Sequence, residues 1–174
     1  MTRKFSSFIQ KIAHFLGKHL ATLGPVGFWW ASGTWASLVA FLPLAYAQNW
    51  AQQLLNPQLI LMQPAYFALC FFITALSWFI IKAYLPRAKN PDPSEVVIDE
   101  VAGLSFALIA ATSWPTALLA LVLFRVFDIL KPWPVSWADQ KLHGAWGVLL
   151  DDVLAGIMAA LCVWAFGSIY IIPT

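Results

Sequence analysis

Charge is what this chain has least of. Lys, Arg, Asp and Glu make up 10% of its 174 residues, where soluble domains carry about 25%. Hydrophobic residues make up 61%, ten of them tryptophan, and the mean hydropathy is +0.75. That composition excludes an ordinary water-soluble domain and predicts a membrane protein, with length for one domain (1–174) and no second. The net charge of +2 is too small to imply a nucleic-acid partner, and no zinc-finger or P-loop pattern occurs. Cysteine is nearly absent too. Cys70 and Cys162 lie inside apolar runs without metal or redox spacing and read as packing residues.

The few charges are grouped. No Lys, Arg, Asp or Glu lies between Lys18 and Lys82, between Glu100 and Arg125, or after Asp152, so every charge falls within 3–18, 82–100, 125–141 or 151–152. An ionised side chain at mid-bilayer costs roughly 2.5–3.5 kcal/mol on insertion scales. The uncharged stretches therefore predict spans at about 25–47, 61–81 and 148–171. The stretch 101–124 reads either as one crossing or as a hairpin broken at "TSWP" (112–115). Thr112, Ser113 and Pro115 are turn chemistry, and the residue before a proline is biased away from helix. The hairpin is favoured because it brings all charge patches to one face, which the positive-inside rule makes cytoplasmic. The expected fold is all-α: a polytopic membrane protein of about five apolar helices. Residues 1–20 add a basic amphipathic helix, read either as interfacial or as a plain positive-inside anchor. With a polar core and no clear small-residue cleavage site, it is not expected to be a cleaved signal peptide.

Five carboxylates sit at the edges of apolar helices: Asp99 and Glu100 in "VVIDEVAGL" (96–104), Asp128 in "FRVFDILKPWPV" (124–135), and Asp151 and Asp152 in "GVLLDDVLAG" (147–156). Their convergence at one boundary would be repulsive without a cation, and hard divalent ions such as Mg²⁺ take carboxylate oxygens. The plainer alternative is that Arg125, Lys131 and Lys141 pair with them as helix-end ion pairs. Arg125, Asp128 and Lys131 recur every three residues and share one side of a helix. They would place a metal ligand between an Arg fork and a Lys point charge, both suited to phosphate. Pro132 and Pro134 end that helix at the aqueous boundary, and Trp133 and Trp137 fit an interfacial belt.

"IDEVAGL", "FRVFDILKPWPV" and "HGAWGVLLDDVLAG", in this order across residues 95–157, resemble the motifs of the phosphatidylglycerophosphatase A family, and "GTWASL" (33–38) resembles its early loop. The resemblance implies a small helical enzyme of the bacterial inner membrane. It would hydrolyse phosphatidylglycerophosphate, the lipid substrate, to phosphatidylglycerol on the cytoplasmic side with Mg²⁺. By position, the family's acidic residues fall on Asp99, Glu100, Asp128, Asp151 and Asp152, all expected to be catalytic. Asp99, Asp128 and Asp152 are expected to touch the metal, with Glu100 joining them around it or, as the alternative to Asp151, serving as the base. By the same resemblance Arg125, Lys131, Thr34 and Ser37 would bind phosphate. His143, apart from the resemblance, reads either as a phosphate contact and proton donor to the leaving alkoxide or as an interfacial loop histidine bonding backbone. Ala36 and Ala145 stand where that family has glycine. No Cys lies in a C-x₅-R loop, no D-x-D ends a strand, and no histidine is flanked as a nucleophile. Attack by metal-activated water is the expected route. The rival readings are a CDP-alcohol-type headgroup transferase, whose D-G-x₂-A-R pattern is absent, and a non-enzymatic transporter or lipid-binding scaffold.

Overall fold

A computed structural model describes residues 17–54, 64–88 and 93–170, so most of the expected N-terminal amphipathic helix lies outside the described residues. Among those described there is no strand. Residues 17–21 are helical, and the α-helices that follow are α1 (Ser32–Leu54), α2 (Pro64–Tyr84), α3 (Ile98–Ala107), α4 (Trp114–Leu130), α5 (Val135–Lys141) and α6 (Ala145–Tyr170), with 3-10 turns at Val26–Phe28, Leu85–Arg87 and Leu108–Ala110.

The hairpin read from "TSWP" is present. α3 runs into the 3-10 turn and Ala111 is extended. Ser113 then caps α4 in a reciprocal capping box with Thr116, and Pro115 sits in the first turn, where its missing N–H costs nothing. The carbonyls left over at the break are met from α1: Gln48 donates to the Ile109 carbonyl at 2.9 Å and Gln52 to that of Ala111. Chain reversal brings Glu100, at the start of α3, against Arg125, near the end of α4. At its own end α4 stops on Lys131, which takes the left-handed conformation (φ 44°), and Pro132 and Pro134 follow.

α3 and α6 cross at two glycines. A Cβ on Gly156 would overlap the Gly103 carbonyl, and one on Gly103 would stand 2.5 Å from the Asp152 carbonyl oxygen and 2.6 Å from the Phe124 ring. Only bare backbone fits there, as at small-residue helix crossings in membranes. The crossing sets Asp99 and Asp152 near each other, each four residues before one of the two glycines. Leu104, Leu108, Phe124, Leu149 and Val163 are fully buried around it.

Two expectations need correction. About five apolar helices were expected, but only α2 and the Ala145–Gly167 part of α6 are both long and apolar enough to cross a membrane among the described residues. α3 and α4 are short, with 10 and 17 residues. The first expected span, 25–47, is displaced: α1 begins at Ser32 and runs to Leu54. Its C-terminal part carries Gln48 and Gln52, whose side chains meet the hairpin's open carbonyls. The second correction concerns α6. It starts at Ala145, after Gly144 in a positive-φ turn (φ 68°), so Asp151 and Asp152 do not open the helix. They are carried inside it and are buried.

Candidate active site

A cavity of about 340 Å³ opens where α3 begins, α4 ends and α6 begins, with α5 along its rim. Its walls include Asp99, Glu100, Asp128, Lys131, Asp139, His143, Asp151 and Asp152. Three helices far apart in sequence thus deliver all five of the expected acids to one place. The acids are present because α3 presents Asp99 and Glu100 in its first turn, and the glycine crossing holds that turn beside α6.

Arg125 organises one half. It forms ion pairs with Glu100 and with Asp128, the latter at 2.9 Å, and its Nη2 reaches Thr34 Oγ1 at 3.4 Å. Ser37 is fully buried behind Glu100, its hydroxyl 3.0 Å from Glu100 Oε2 and 2.9 Å from the Gly33 carbonyl. Ser37 therefore orients Glu100 and does not face the cavity. Gly33 is part of the same clamp, since a Cβ there would overlap Glu100 Oε1 and stand 3.2 Å from Arg125 Nη1. The "GTWASL" stretch is the first turn of α1 rather than a loop. Ser32 ties that turn to the segment before α3 by donating to the Ser94 carbonyl at 3.0 Å. Ala36, where glycine was expected, packs into a small buried cluster with Val26 and Val97, so its methyl leaves the cavity untouched.

Lys131 organises the other half. Its ammonium pairs with Asp139 and, at 2.9 Å, with Asp151. Burial alone would lower the Lys131 pKa, but the hydrogen bonds to Asp139 and Asp151 outweigh it and raise the pKa above the ordinary lysine value. Asp139 was not among the residues picked out in the sequence. It lies on α5, beyond the Pro132–Pro134 break, and only the fold of that short helix returns it to Lys131. His143 is exposed at the rim.

Six carboxylates face two cations here, and neither Asp99 nor Asp152 forms an ion pair among the described residues. Asp151 Oδ1 and Arg125 Nε are buried with no hydrogen-bond partner. Buried groups are seldom left so. The donor set is oxygen-only and over-supplied with negative charge, which fits a hard divalent cation. As they stand, no three His, Cys, Asp or Glu side chains among the described residues are grouped to hold a metal ion. The carboxylates would have to draw in around one.

Residues 19–167 match the family described as Phosphatidylglycerophosphatase A. The chain is 35% identical over 137 residues to Phosphatidylglycerophosphatase A of Haemophilus influenzae, covering 78% of each. It is 35% identical over 78 residues to Phosphatidylglycerophosphatase A of Escherichia coli, 44% of this chain and 45% of that one. A Putative phosphatidylinositol-3-phosphatase of Bacteroides thetaiotaomicron is 38% identical over 92 residues, 48% of this chain and 57% of that one. No solved structure matches. With a family match spanning most of its length and the motif acids gathered around one cavity, the chain belongs to the phosphatidylglycerophosphatase A family.

Proposed function

We propose that this protein hydrolyses the terminal phosphomonoester of phosphatidylglycerophosphate, giving phosphatidylglycerol and phosphate. The carrying observation is the meeting of five motif acids from α3, α4 and α6 at one cavity, with Lys131 in its wall and Arg125 ion-paired to two of the lining acids, Glu100 and Asp128. Family membership supports the same substrate.

Asp99 and Asp152, with Asp128 and Glu100, would hold Mg²⁺. Bound there, the ion would offset the excess negative charge and acidify a water molecule. Arg125 keeps an unpartnered Nε–H and would direct it, with its fork, at the non-bridging phosphoryl oxygens. Lys131 is the more exposed cation and would exchange Asp139 for a phosphate oxygen as substrate enters. Asp151 Oδ1, the buried carboxylate oxygen without a partner, is the acceptor for the proton of the attacking water. Glu100 is a poorer base, because Oε2 is already engaged by Arg125 and Ser37. As the water oxygen bonds to phosphorus, the bond from phosphorus to the glycerol oxygen breaks. His143, at the rim, would give that oxygen its proton.

The membrane setting belongs to this proposal: a multi-pass protein of the bacterial inner membrane with its cavity on the cytoplasmic side. Outer faces of the helices expose Phe71, Phe72, Phe79, Leu118, Val122 and Leu161, far more apolar surface than a soluble monomer shows. Trp30, Trp133, Trp137 and Trp146, exposed near the cavity, suit the headgroup level.

The test is phosphate release by the purified full-length protein from phosphatidylglycerophosphate beside phosphatidic acid and phosphatidylinositol 3-phosphate. Release from the first alone, or fastest from the first, is expected. Release only from the inositol lipid, the compound named for the Bacteroides relative, would replace the substrate. No release from any would end the enzyme reading.

A further inference from the structure

Next to the charged cavity, on the other side of the same helix, lies a second space of about 380 Å³ that is almost purely apolar. Phe71, Trp78, Phe79, Phe106, Trp146 and Leu150 form most of its wall. Thr74 contributes a hydroxyl, but that hydroxyl is spent on the Cys70 carbonyl at 2.8 Å. On α6, Trp146, Leu150 and Val153 face this groove, while Gly147, Val148, Asp151 and Asp152 face the charged cavity. At about 100° per residue these two sets lie on opposite sides of one helix, so α6 itself is the wall between the groove and the charged cavity.

The mouth of the groove is built in a particular order. Trp78 packs against Trp146 with the rings tilted 41° and their centroids 5.4 Å apart, and carries the Lys82 ammonium over its face at 4.4 Å. Lys82 is exposed and forms no ion pair with a carboxylate among the described residues. Trp78 Nε1 is buried with no hydrogen-bond partner, a donor left over at the edge of a greasy slot. From Lys82 through Trp78 to Phe71, α2 therefore presents a cation, then a lone N–H donor, then apolar wall. A phospholipid presents the matching series: phosphodiester, ester carbonyl, acyl chain.

We propose that this groove seats one acyl chain of the phospholipid substrate, with Trp78 Nε1 donating to its ester carbonyl and Lys82 facing the phosphodiester that stays with the lipid. The assignment rests on the proposed phosphatase activity and adds to it. Two anchors, one for each phosphate of the headgroup, would hold the terminal phosphoryl group at the acids while the diester remains at Lys82.

Two measurements on the full-length protein in mixed micelles test it, with dioleoyl and dihexanoyl phosphatidylglycerophosphate as probes. Ala75→Trp fills the groove from an exposed position on its wall. It should raise KM for the dioleoyl lipid about fivefold or more and leave the dihexanoyl KM and both kcat values within about twofold. Equal change, or none, on both lipids overturns the proposal. On the unmodified protein, a dioleoyl analogue with a diazirine in one acyl chain should crosslink to the α2 stretch 71–79 or to α6 near Leu150. Labelling confined to other faces overturns it regardless of how Ala75→Trp folds. Failure of the unmodified protein to release phosphate from either lipid would remove the activity itself and the substrate assignment with it, whereas normal release with chain-length-independent KM in the variant would remove the groove alone.

Discussion

Arg125 and Lys131 come from one short stretch of chain, yet they are held in different ways. Arg125 is enclosed, its side chain 17% exposed, and it ties together α1, α3 and α4 through Thr34, Glu100 and Asp128. Lys131 is 33% exposed on the left-handed cap of α4, bridging Asp139 on α5 and Asp151 on α6. A rigid, forked cation in a closed clamp can orient a phosphoryl group. A flexible point charge at a mouth can capture one and let it go. The difference teaches that one half of the site is built for positioning and the other for exchange.

Breaking what the two halves share should cost most. Asp152 pairs with neither cation, so Asp152→Asn removes a charge proposed to hold the metal and should lower kcat by about a thousandfold with the helical fold intact by circular dichroism. Next comes the clamp. Arg125→Lys keeps the charge and loses the fork, and a fall in kcat of roughly a hundredfold is expected, with a lower thermal midpoint because Glu100 and Asp128 lose a shared partner. Gly33→Ala pushes a methyl into the Glu100 carboxylate and should cost about tenfold in kcat, read in the same assay. On the exchange side, Lys131→Ala should raise KM by roughly tenfold with a smaller change in kcat. Asp139→Asn should be mildest, within about threefold in kcat/KM, since an exposed ion pair contributes little. Equal losses in Arg125→Lys and Lys131→Ala, falling on the same kinetic constant, would erase the distinction between the halves.

Much of this was legible in the residues. Thr112, Ser113 and Pro115 announced the break between α3 and α4, because capping chemistry and proline act locally. The three-residue spacing of Arg125 and Asp128 correctly set them on one face, where they now pair. What was not legible depended on contacts distant in sequence. Gln48 and Gln52 belong to α1 because the hairpin break leaves carbonyls for them to satisfy; hydropathy alone ended the span before them. Ser37 read as a loop hydroxyl for phosphate, but helix α1 turns it toward Glu100. Asp139 gave no signal, since a lone acid after two prolines looks like a solvated loop residue until α5 returns it to Lys131. Gly103 and Gly156 were visible as motif letters, and only the crossing of α3 and α6 shows what they are for.

The central claim is that acids from three helices jointly hold a divalent cation that the reaction needs. Its most direct test is phosphate release from phosphatidylglycerophosphate across a Mg²⁺ titration, unmodified protein beside Asp152→Asn. The account predicts no release after chelation, recovery with added Mg²⁺, and a variant that needs far more Mg²⁺ or does not recover. Release that persists in chelator, or an Asp152→Asn curve that overlays that of the unmodified protein, would contradict it.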